Sequence, residues 1–391
     1  MPAKAGIQCG GGVANTQNLD SRFRGKDGRG IRLPVDIIEI PLLIAEPCLM
    51  KTAKEIVSHM NRQIPFKFVL LFLALLIASE SFGQSKLLLG YSSLSSNQTP
   101  IWVAQEEGFY KRFGVDVDLI LIEGGTRGAQ ALISGDLPMI GMAGQAVISA
   151  RARGADLVVV AGVVNKMNYI FVGAPAIKTP EDLRGKRIGI SQIGTASYHA
   201  VILALRQWRL DARRDRITIL QVGTQAARVS SLNSGGTDAI IVNPGLTTAM
   251  KQRGYNIIAD FSEMQLPYPQ QVMATRERFL KSEPDVAERL IKAFVAGNTF
   301  SLDPKNKNRV KAALAKYLRL GSVDKAEEQY QSALPVLPKK PYVDVAGITS
   351  MLEFLTESDP SVAKIKPEQV INHAIMKKLD ESGFIEHPFG K

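Results

Sequence analysis

The chain has 391 residues, of which 45% are apolar, and its formal net charge is +11. This length and apolar content suit about two globular domains with ample hydrophobic cores. The Lys and Arg residues form no continuous block of the kind found in nucleic-acid-binding arms, so no nucleic-acid partner is expected. The excess charge is either a basic soluble surface or a weak preference for anionic solutes.

A secretory signal peptide is predicted over residues 60–83. A short basic start precedes the apolar run Phe68 to Ala78, which is too short to span a bilayer. Small residues at Ser81 and Gly83 match the positions that a signal peptidase reads. We therefore expect cleavage after Gly83 and a periplasmic location. An uncleaved membrane anchor is the alternative interpretation.

Residues 1–59 precede this export signal, although such signals normally stand at the start of a chain. We therefore expect translation to begin at Met60 or Met50, and residues 1–59 to be a disordered product of a mis-assigned start. Both cysteines of the chain, Cys9 and Cys48, lie in this segment. The exported chain would then have no disulfide, no thiolate metal site and no cysteine nucleophile.

The histidines beyond the export signal are His199, His373 and His387. None of them has metal-ligand spacing with another His, Asp or Glu residue. We interpret them as surface or packing residues and predict neither a metal nor another cofactor.

The globular region begins with a strand, a polar loop and a helix. Leu87 to Tyr91 is the strand, and Pro100 stands at the position that proline favours at a helix start. The loop carries several hydroxyl and amide side chains, among them Ser92, Ser93, Ser96 and Gln98. Such groups at the carboxyl end of a strand either surround a ligand or form a solvated turn.

The same order of landmarks occurs twice along the chain, which indicates two similar α/β lobes. Each copy has an alternating strand, a Gly-Thr pair, a helix ending in Ser-Gly, an apolar strand and a helix ending in Arg-Gly. The two copies are marked by Gly125-Thr126, Ser134-Gly135, Met139 to Met142 and Arg153-Gly154, and by Gly223-Thr224, Ser234-Gly235, Ala239 to Val242 and Arg253-Gly254. The predicted fold class is α/β, with a mostly parallel sheet flanked by helices in each lobe. Because ligands of such sheets bind beyond the carboxyl ends of the strands, two facing lobes would enclose a cleft.

The stretch from Asp182 to Trp208 predicts a strand, a glycine turn and a helix. Arg187 to Ser191 is the strand, and Thr195 or Ser197 is placed to cap the helix. The first helical turn carries no charged side chain, so its free N–H groups and the helix dipole favour an anion. An ordinary capped helix without a ligand is the alternative.

The candidate ligand-binding residues lie at predicted strand ends, at helix starts and at the crossing between the lobes. They are Ser92, Ser93, Ser96, Gln98, Thr126, Gly144, Gln145, Gly194, Thr195, Ser197, Tyr198, Asn243 and Tyr268. Asn243 would offer its amide, and Tyr268, which stands between two prolines, would cover the ligand; both are equally compatible with structural roles. Arg127 and Arg228 stay undecided, and Arg127 is expected to face solvent.

Lobe I is predicted to comprise residues 84–176, and lobe II residues 177–272. Residues 273–391 are predicted to return to lobe I and to add amphipathic helices at the C-terminus. The two connections are predicted to be strands that form a hinge, which permits closure over a ligand.

The chain from Lys86 to about Ile385 resembles the periplasmic solute-binding proteins of ABC importers in the nitrate, taurine and aliphatic sulfonate group. This group shares its domain with the thiamine-pyrimidine synthase family. The resemblance is carried by Trp102 to Ala104, Glu107 to Tyr110, Gly114-Val115, Ala131 to Asp136, Asp182 to Gly189 and Gly194-Thr195.

This resemblance implies a two-lobed type II periplasmic binding protein, expected to be monomeric, which is a carrier and not an enzyme. Such a protein closes on a small solute, here a sulfonate, nitrate or another small organic anion, and delivers it to a membrane permease. By resemblance, the solute contacts come from Ser92 to Gln98, Gly144-Gln145 and Gly194 to Ser197.

A thiamine-pyrimidine precursor is the alternative solute. A pyrimidine ring favours aromatic stacking, for which Tyr91, Tyr198 and Tyr268 are the candidates. A pyrimidine synthase-like enzyme is a weaker alternative. That branch of the resemblance uses a cysteine-rich iron site, whereas the exported chain would have no cysteine.

Overall fold

The computed structural model describes residues 86–263 and 267–390. The predictions of a signal peptide, its cleavage after Gly83, the true start at Met50 or Met60, and a mis-assigned 1–59 segment lie outside the described residues. Within the described ranges, no helix is long and apolar enough to cross a membrane.

In this part of the chain, ten strands form two five-stranded sheets. The strands are β1 (Leu87–Tyr91), β2 (Val117–Leu121), β3 (Met139–Met142), β4 (Leu157–Lys166), β5 (Ile170–Gly173), β6 (Arg187–Ile190), β7 (Thr218–Gln221), β8 (Ala239–Val242), β9 (Asn256–Asp260) and β10 (Pro267–Arg276). Lobe I is built on the sheet β2-β1-β3-β10-β4, and lobe II on the sheet β7-β6-β8-β5-β9.

The α-helices of the same residues cover both sheets. They are α1 (Thr99–Glu106), α2 (Phe109–Arg112), α3 (Gly125–Ser134), α4 (Gly144–Ala152), α5 (Ala196–Gln207), α6 (Gln225–Asn233), α7 (Thr247–Gln252), α8 (Glu277–Ser282), α9 (Pro284–Leu302), α10 (Lys307–Tyr317), α11 (Glu327–Ala333), α12 (Val345–Thr356), α13 (Pro367–Val370) and α14 (Ala374–Glu381).

The two sheets have the same topology, as the repeated landmarks predicted. In lobe I, β1 pairs in parallel with β2 and β3, whereas β10 runs antiparallel between β3 and β4. In lobe II, β6 pairs in parallel with β7 and β8, whereas β5 runs antiparallel between β8 and β9. Each sheet therefore has one antiparallel strand, and the mostly parallel α/β fold is confirmed.

The chain crosses between the lobes earlier than predicted in both directions. Strand β5 pairs within lobe II, so the first crossing is at residues 167–169 and not near Ala176. Strand β10 pairs within lobe I, so the return precedes Pro267 and does not follow residue 272. The local pattern identified β5 as an apolar strand, but only its pairing partner decides which sheet it joins.

Buried hydrogen bonds connect the first crossing to β10 and to the loop after β1. The backbone N–H of Asn168 donates to Gln270 Oε1, and Gln270 Nε2 donates back to the carbonyl of Asn168 at 3.3 Å. Asn168 Nδ2 also donates to Asn97 Oδ1 at 2.8 Å, which ties the first crossing to the loop after β1. All three side chains are buried. The hinge is therefore fixed by hydrogen bonds to buried amides, which are costly to leave unpaired.

The helices after β10 pack on lobe I, and α9 approaches α1 closely. A Cβ atom added at Gly297 would stand 2.9 Å from Ala104 Cβ and 3.0 Å from Ala104 N. Replacing Gly297 with alanine is therefore expected to lower the free energy of unfolding by about 2 kcal/mol, because a closely packed core has to shift. Urea unfolding measures this change. As a control, Asp285→Ala on the exposed first turn of α9 should cost less than about 1 kcal/mol, and equal losses would contradict the close approach.

Candidate functional site

A cavity of about 780 Å³ lies between the two sheets, at the carboxyl ends of their parallel strands. Its lobe I wall comes from the loops after β1, β2 and β3, and its lobe II wall from the loops after β6, β7 and β8. Tyr169 of the first crossing and Gln270 and Gln271 of β10 complete it. This position is where open α/β sheets bind their ligands, and the volume is typical of a small-molecule site.

Four helices begin at this cavity, and none has an acidic residue in its first turn. They are α3 and α4 of lobe I and α5 and α6 of lobe II. In α3, α4 and α5 no side chain caps the free N–H groups, whereas Thr224 Oγ1 accepts from Ala227 N in α6. Because free N–H groups and helix dipoles favour negative charge, their convergence makes the cavity suited to an anion.

Arg228 on α6 is a buried cation in the cavity wall. Its residue surface is 5% exposed, and the guanidinium donates from Nε to the carbonyl of Ile241 at 2.8 Å and from Nη1 to the carbonyl of Gly223 at 2.7 Å. Among the described residues no carboxylate acts on it, and burial lowers its pKa. The site thus contains a positive charge, and among the described residues Tyr169 is the titratable group that acts on its pKa.

Tyr169 of the first crossing interacts electrostatically with this cation. Burial raises the pKa of its phenol, which the charge of Arg228 and a hydrogen bond with Gln270 oppose. Tyr169 therefore connects the lobe II wall to Gln270, which ties the first crossing to β10.

Two further charged side chains, Glu123 and Arg127, line the cavity from the loop after β2 and are exposed. The expectation that Arg127 faces solvent agrees with its exposure, but this side chain also contributes to the cavity wall. Together with Arg228, the charged lining has one more positive than negative group, which again favours an anionic ligand.

Two buried amide side chains of the lining have a polar atom without a hydrogen-bond partner. These atoms are Gln145 Oε1 at the start of α4 and Gln271 Nε2 on β10. Since buried polar atoms are nearly always paired in native proteins, both positions are prepared for a polar ligand atom or an ordered water after a small side-chain rotation.

The structure brings five of the predicted residues into the cavity wall. They are Ser92, Ser93, Gln145, Thr195 and Asn243. Some of the hydroxyl and amide groups after β1 therefore face the cavity, and so does Asn97 of the same loop.

The other predicted residues do not line the cavity. They are Ser96, Gln98, Thr126, Gly144, Gly194, Ser197, Tyr198 and Tyr268. Local bonds explain several of these positions, because hydroxyl groups near helix starts often bond to nearby backbone. Ser197 Oγ accepts from Ser191 N at 2.9 Å, Gln98 Nε2 donates to Ser93 Oγ at 3.3 Å, and Tyr268 Oη bonds His199 Nδ1 at 2.6 Å.

The sequence reading missed most of the lobe II wall. Ser191, Gln192, Gln225 and Ser230 line the cavity, as do Tyr169 of the first crossing and Gln270 of β10. The repeat contained the necessary signal for the loop after β7, because Gly223-Thr224 corresponds to Gly125-Thr126 at the cavity. No local pattern marked the residues of the crossings.

Contacts outside the cavity also join the lobes. Gln329 Nε2 on α11 donates to the carbonyl of Gly245 at 2.6 Å, and Thr248 N donates to Glu328 Oε1 at 2.6 Å. Arg206 on α5 pairs with Glu357 after α12. In residues 86–263 and 267–390, no group of three or more His, Cys, Asp or Glu side chains is placed to hold a metal ion.

Comparisons with known proteins agree with this architecture. Residues 95–306, more than half of the chain, match the family model described as NMT1/THI5 like. The chain is 26% identical over 201 residues to a taurine-binding periplasmic protein from Escherichia coli, covering 50% of this chain and 61% of that protein. It is 24% identical over 294 residues to the bicarbonate transport ATP-binding protein CmpC from Synechocystis, covering 70% of this chain and 44% of that protein. The chain thus spans about half the length of these curated relatives.

Among solved structures, the chain is similar to the alkanesulfonate-binding protein SsuA from Xanthomonas axonopodis pv. citri bound to MOPS. The TM-score is 0.58 at 18% identity, covering 73% of this chain and 96% of that chain. At this identity the likeness supports the two-lobed fold alone.

Proposed function

Because the chain belongs to the NMT1/THI5-like family, we propose that it is the extracytoplasmic solute-binding component of an ABC importer. It captures a small organic anion between its two lobes and delivers it to a membrane permease. The observation that carries this proposal is the convergence of four acid-free helix N-termini on one cavity.

The size and lining of the cavity support an organic anion over an inorganic one. A volume of about 780 Å³ suits a ligand of many atoms, whereas nitrate has four. Leu94, Val229 and Leu246 supply apolar surface beside the polar loops. A sulfonate fits this description, and the relative named for taurine, an aminosulfonate, supports that class.

The same proposal covers location, partners and activity. The taurine-binding relative is named periplasmic, and we extend that location to this chain, as a monomer that meets its permease. The protein binds its solute without chemical conversion, in accordance with the binding and transport roles that the relatives' names give.

The tyrosines that the sequence suggested for stacking on a pyrimidine ring do not line the cavity. Tyr91, Tyr198 and Tyr268 are absent from the cavity lining, whereas Tyr169 is present. One aromatic side chain beside a buried arginine suits an organic anion as well as a pyrimidine ring, so the charge of the cavity favours the anion.

A thermal-shift screen of the full chain tests the proposal. The panel contains alkyl and aryl sulfonates, carboxylates, nitrate, bicarbonate and pyrimidines. An organic anion at 100 times its dissociation constant is expected to add about 2.7 kcal/mol of stability, which raises the melting temperature by several degrees. A response to pyrimidines alone would contradict capture of an anion.

A further inference from the structure

We propose that Arg228 binds the anionic group of the solute, and that a negative charge on the solute is therefore required for binding. This inference rests on the proposed function and adds a specificity-determining residue to it. The observation behind it is a buried guanidinium in the cavity wall without a carboxylate partner among the described residues.

Burial makes an unpaired cation unusual. Most charged side chains are exposed, and buried ones are normally paired, because removing a charge from water is costly. The other buried charges of the described chain follow this rule: the carboxylate of Asp215 pairs with Arg184 and Arg214, and Lys311 pairs with Glu327. Arg228 differs from them in having only carbonyl acceptors, so the counter-charge is left to the ligand.

The two carbonyl bonds also orient the guanidinium. A guanidinium has five N–H donors in a fixed plane, and the carbonyls of Ile241 and Gly223 occupy one on Nε and one on Nη1. The remaining donors are one N–H group of Nη1 and both N–H groups of Nη2. Two parallel N–H groups, one on each terminal nitrogen, match two oxygens of a sulfonate or carboxylate in bidentate fashion, which an ammonium group does not reproduce.

The position of Arg228 also connects the charge to the hinge. The charge of Arg228 and a hydrogen bond with Gln270 both act on the phenol of Tyr169, and Gln270 bonds the backbone of Asn168 in the first crossing. An anion on Arg228 would therefore be coupled, through Tyr169 and Gln270, to the first crossing between the lobes.

The test compares Arg228→Gln and Arg228→Lys with the wild type and with Arg253→Gln. Arg253 follows α7 in the same lobe, is exposed and does not line the cavity, so its replacement makes the same charge change elsewhere. The probes are benzenesulfonate, butanesulfonate, benzoate and sulfate, with neutral benzenesulfonamide as the uncharged counterpart. Calorimetric titration gives the affinities, and circular dichroism confirms that each variant is folded.

The expected result is at least a tenfold loss of affinity for the organic anions in Arg228→Gln, a smaller loss in Arg228→Lys and no loss in Arg253→Gln. Benzenesulfonamide should bind the wild type at least tenfold more weakly than benzenesulfonate. Equal affinities of folded Arg228→Gln and wild type for each anion would overturn the role of Arg228 and leave solute capture intact. If the wild type binds benzenesulfonamide as tightly as benzenesulfonate, the charge requirement is overturned. If no anion binds the wild type, anion capture itself is overturned.

Discussion

Replacing Gln225 with glutamate is expected to lower the affinity for the best-binding anion of the screen by about 100-fold. Gln225 is the first residue of α6 and lines the cavity, and its Oε1 accepts from Asn243 N at 2.8 Å. Glutamate keeps this acceptor and nearly the same shape. It also adds a negative charge one helical turn before Arg228, with the two Cβ atoms roughly 5–6 Å apart.

The magnitude follows from the added charge. At about 5 Å and an effective dielectric constant of about 20, one unit charge changes the interaction energy by about 3 kcal/mol, which is about 100-fold in affinity. The new carboxylate repels the anion and provides Arg228 with the counter-charge that it lacks. An acidic residue in a first helical turn interacts favourably with the dipole, so the stability of the ligand-free protein should be retained.

Isothermal titration calorimetry measures the affinity of the variant for the anion, and thermal unfolding measures the stability of the ligand-free variant. Gln130→Glu is the matched control, because Gln130 is an exposed residue of α3 that does not line the cavity. If the Gln225→Glu protein keeps both the stability and the anion affinity of the wild type, the start of α6 is not part of the anion site.

Lowering the pH from 7 to 4 is expected to destabilise the protein by about 3 kcal/mol through His199 alone. His199 on α5 is 1% exposed, its Nδ1 bonds Tyr268 Oη at 2.6 Å, and its ring lies 4.5 Å from that of Phe354. Burial lowers its pKa from 6.5 to about 4. No described carboxylate contributes to this shift.

The sign follows from proton binding in the two states. Between pH 6.5 and about 4 the unfolded chain binds a proton at this histidine and the folded protein does not. Stability is therefore complete above pH 6.5 and is lost progressively as the pH falls toward 4. The decrease of this pKa from 6.5 to about 4 corresponds to about 3 kcal/mol.

Urea unfolding of the wild type and of His199→Phe at several pH values measures this dependence. The variant should be less stable at pH 7, because Tyr268 loses its partner, but its stability should fall less between pH 6.5 and 4.5. His387→Gln, at an exposed position near the C-terminus, should keep the pH dependence of the wild type. Parallel pH profiles for the wild type and His199→Phe would show that His199 is not the titrating group.

Repeats and local periodicity predicted the elements well. The bounds of β1, β3 and β8 are those predicted, and Arg-Gly marks the ends of α4 and α7. At those ends Gly154 and Gly254 have φ angles of +90° and +81°, which glycine adopts without strain. These features depend on residues close in sequence, so local sequence patterns are enough to predict them.

The candidate site was predicted only in outline. The loop after β1 and the start of α5 lie at the cavity, because the ends of parallel strands and the starts of the following helices are readable from the sequence. The sequence did not indicate which of the hydroxyl groups face the cavity. Thr195 lines it, whereas Ser197, two residues later, accepts from the backbone of Ser191.

The sequence by itself thus determined the repeated α/β units, their order and the acid-free helix starts, since all of these are set by side chains within one or two turns of each other. Only the tertiary structure decided that β5 pairs in lobe II, that Tyr169 joins the cavity and that Arg228 is buried beside it. The physical reason is that pairing and burial depend on partners distant in the chain. The charge of Arg228 becomes significant only because folding buries it against the carbonyls of Gly223 and Ile241.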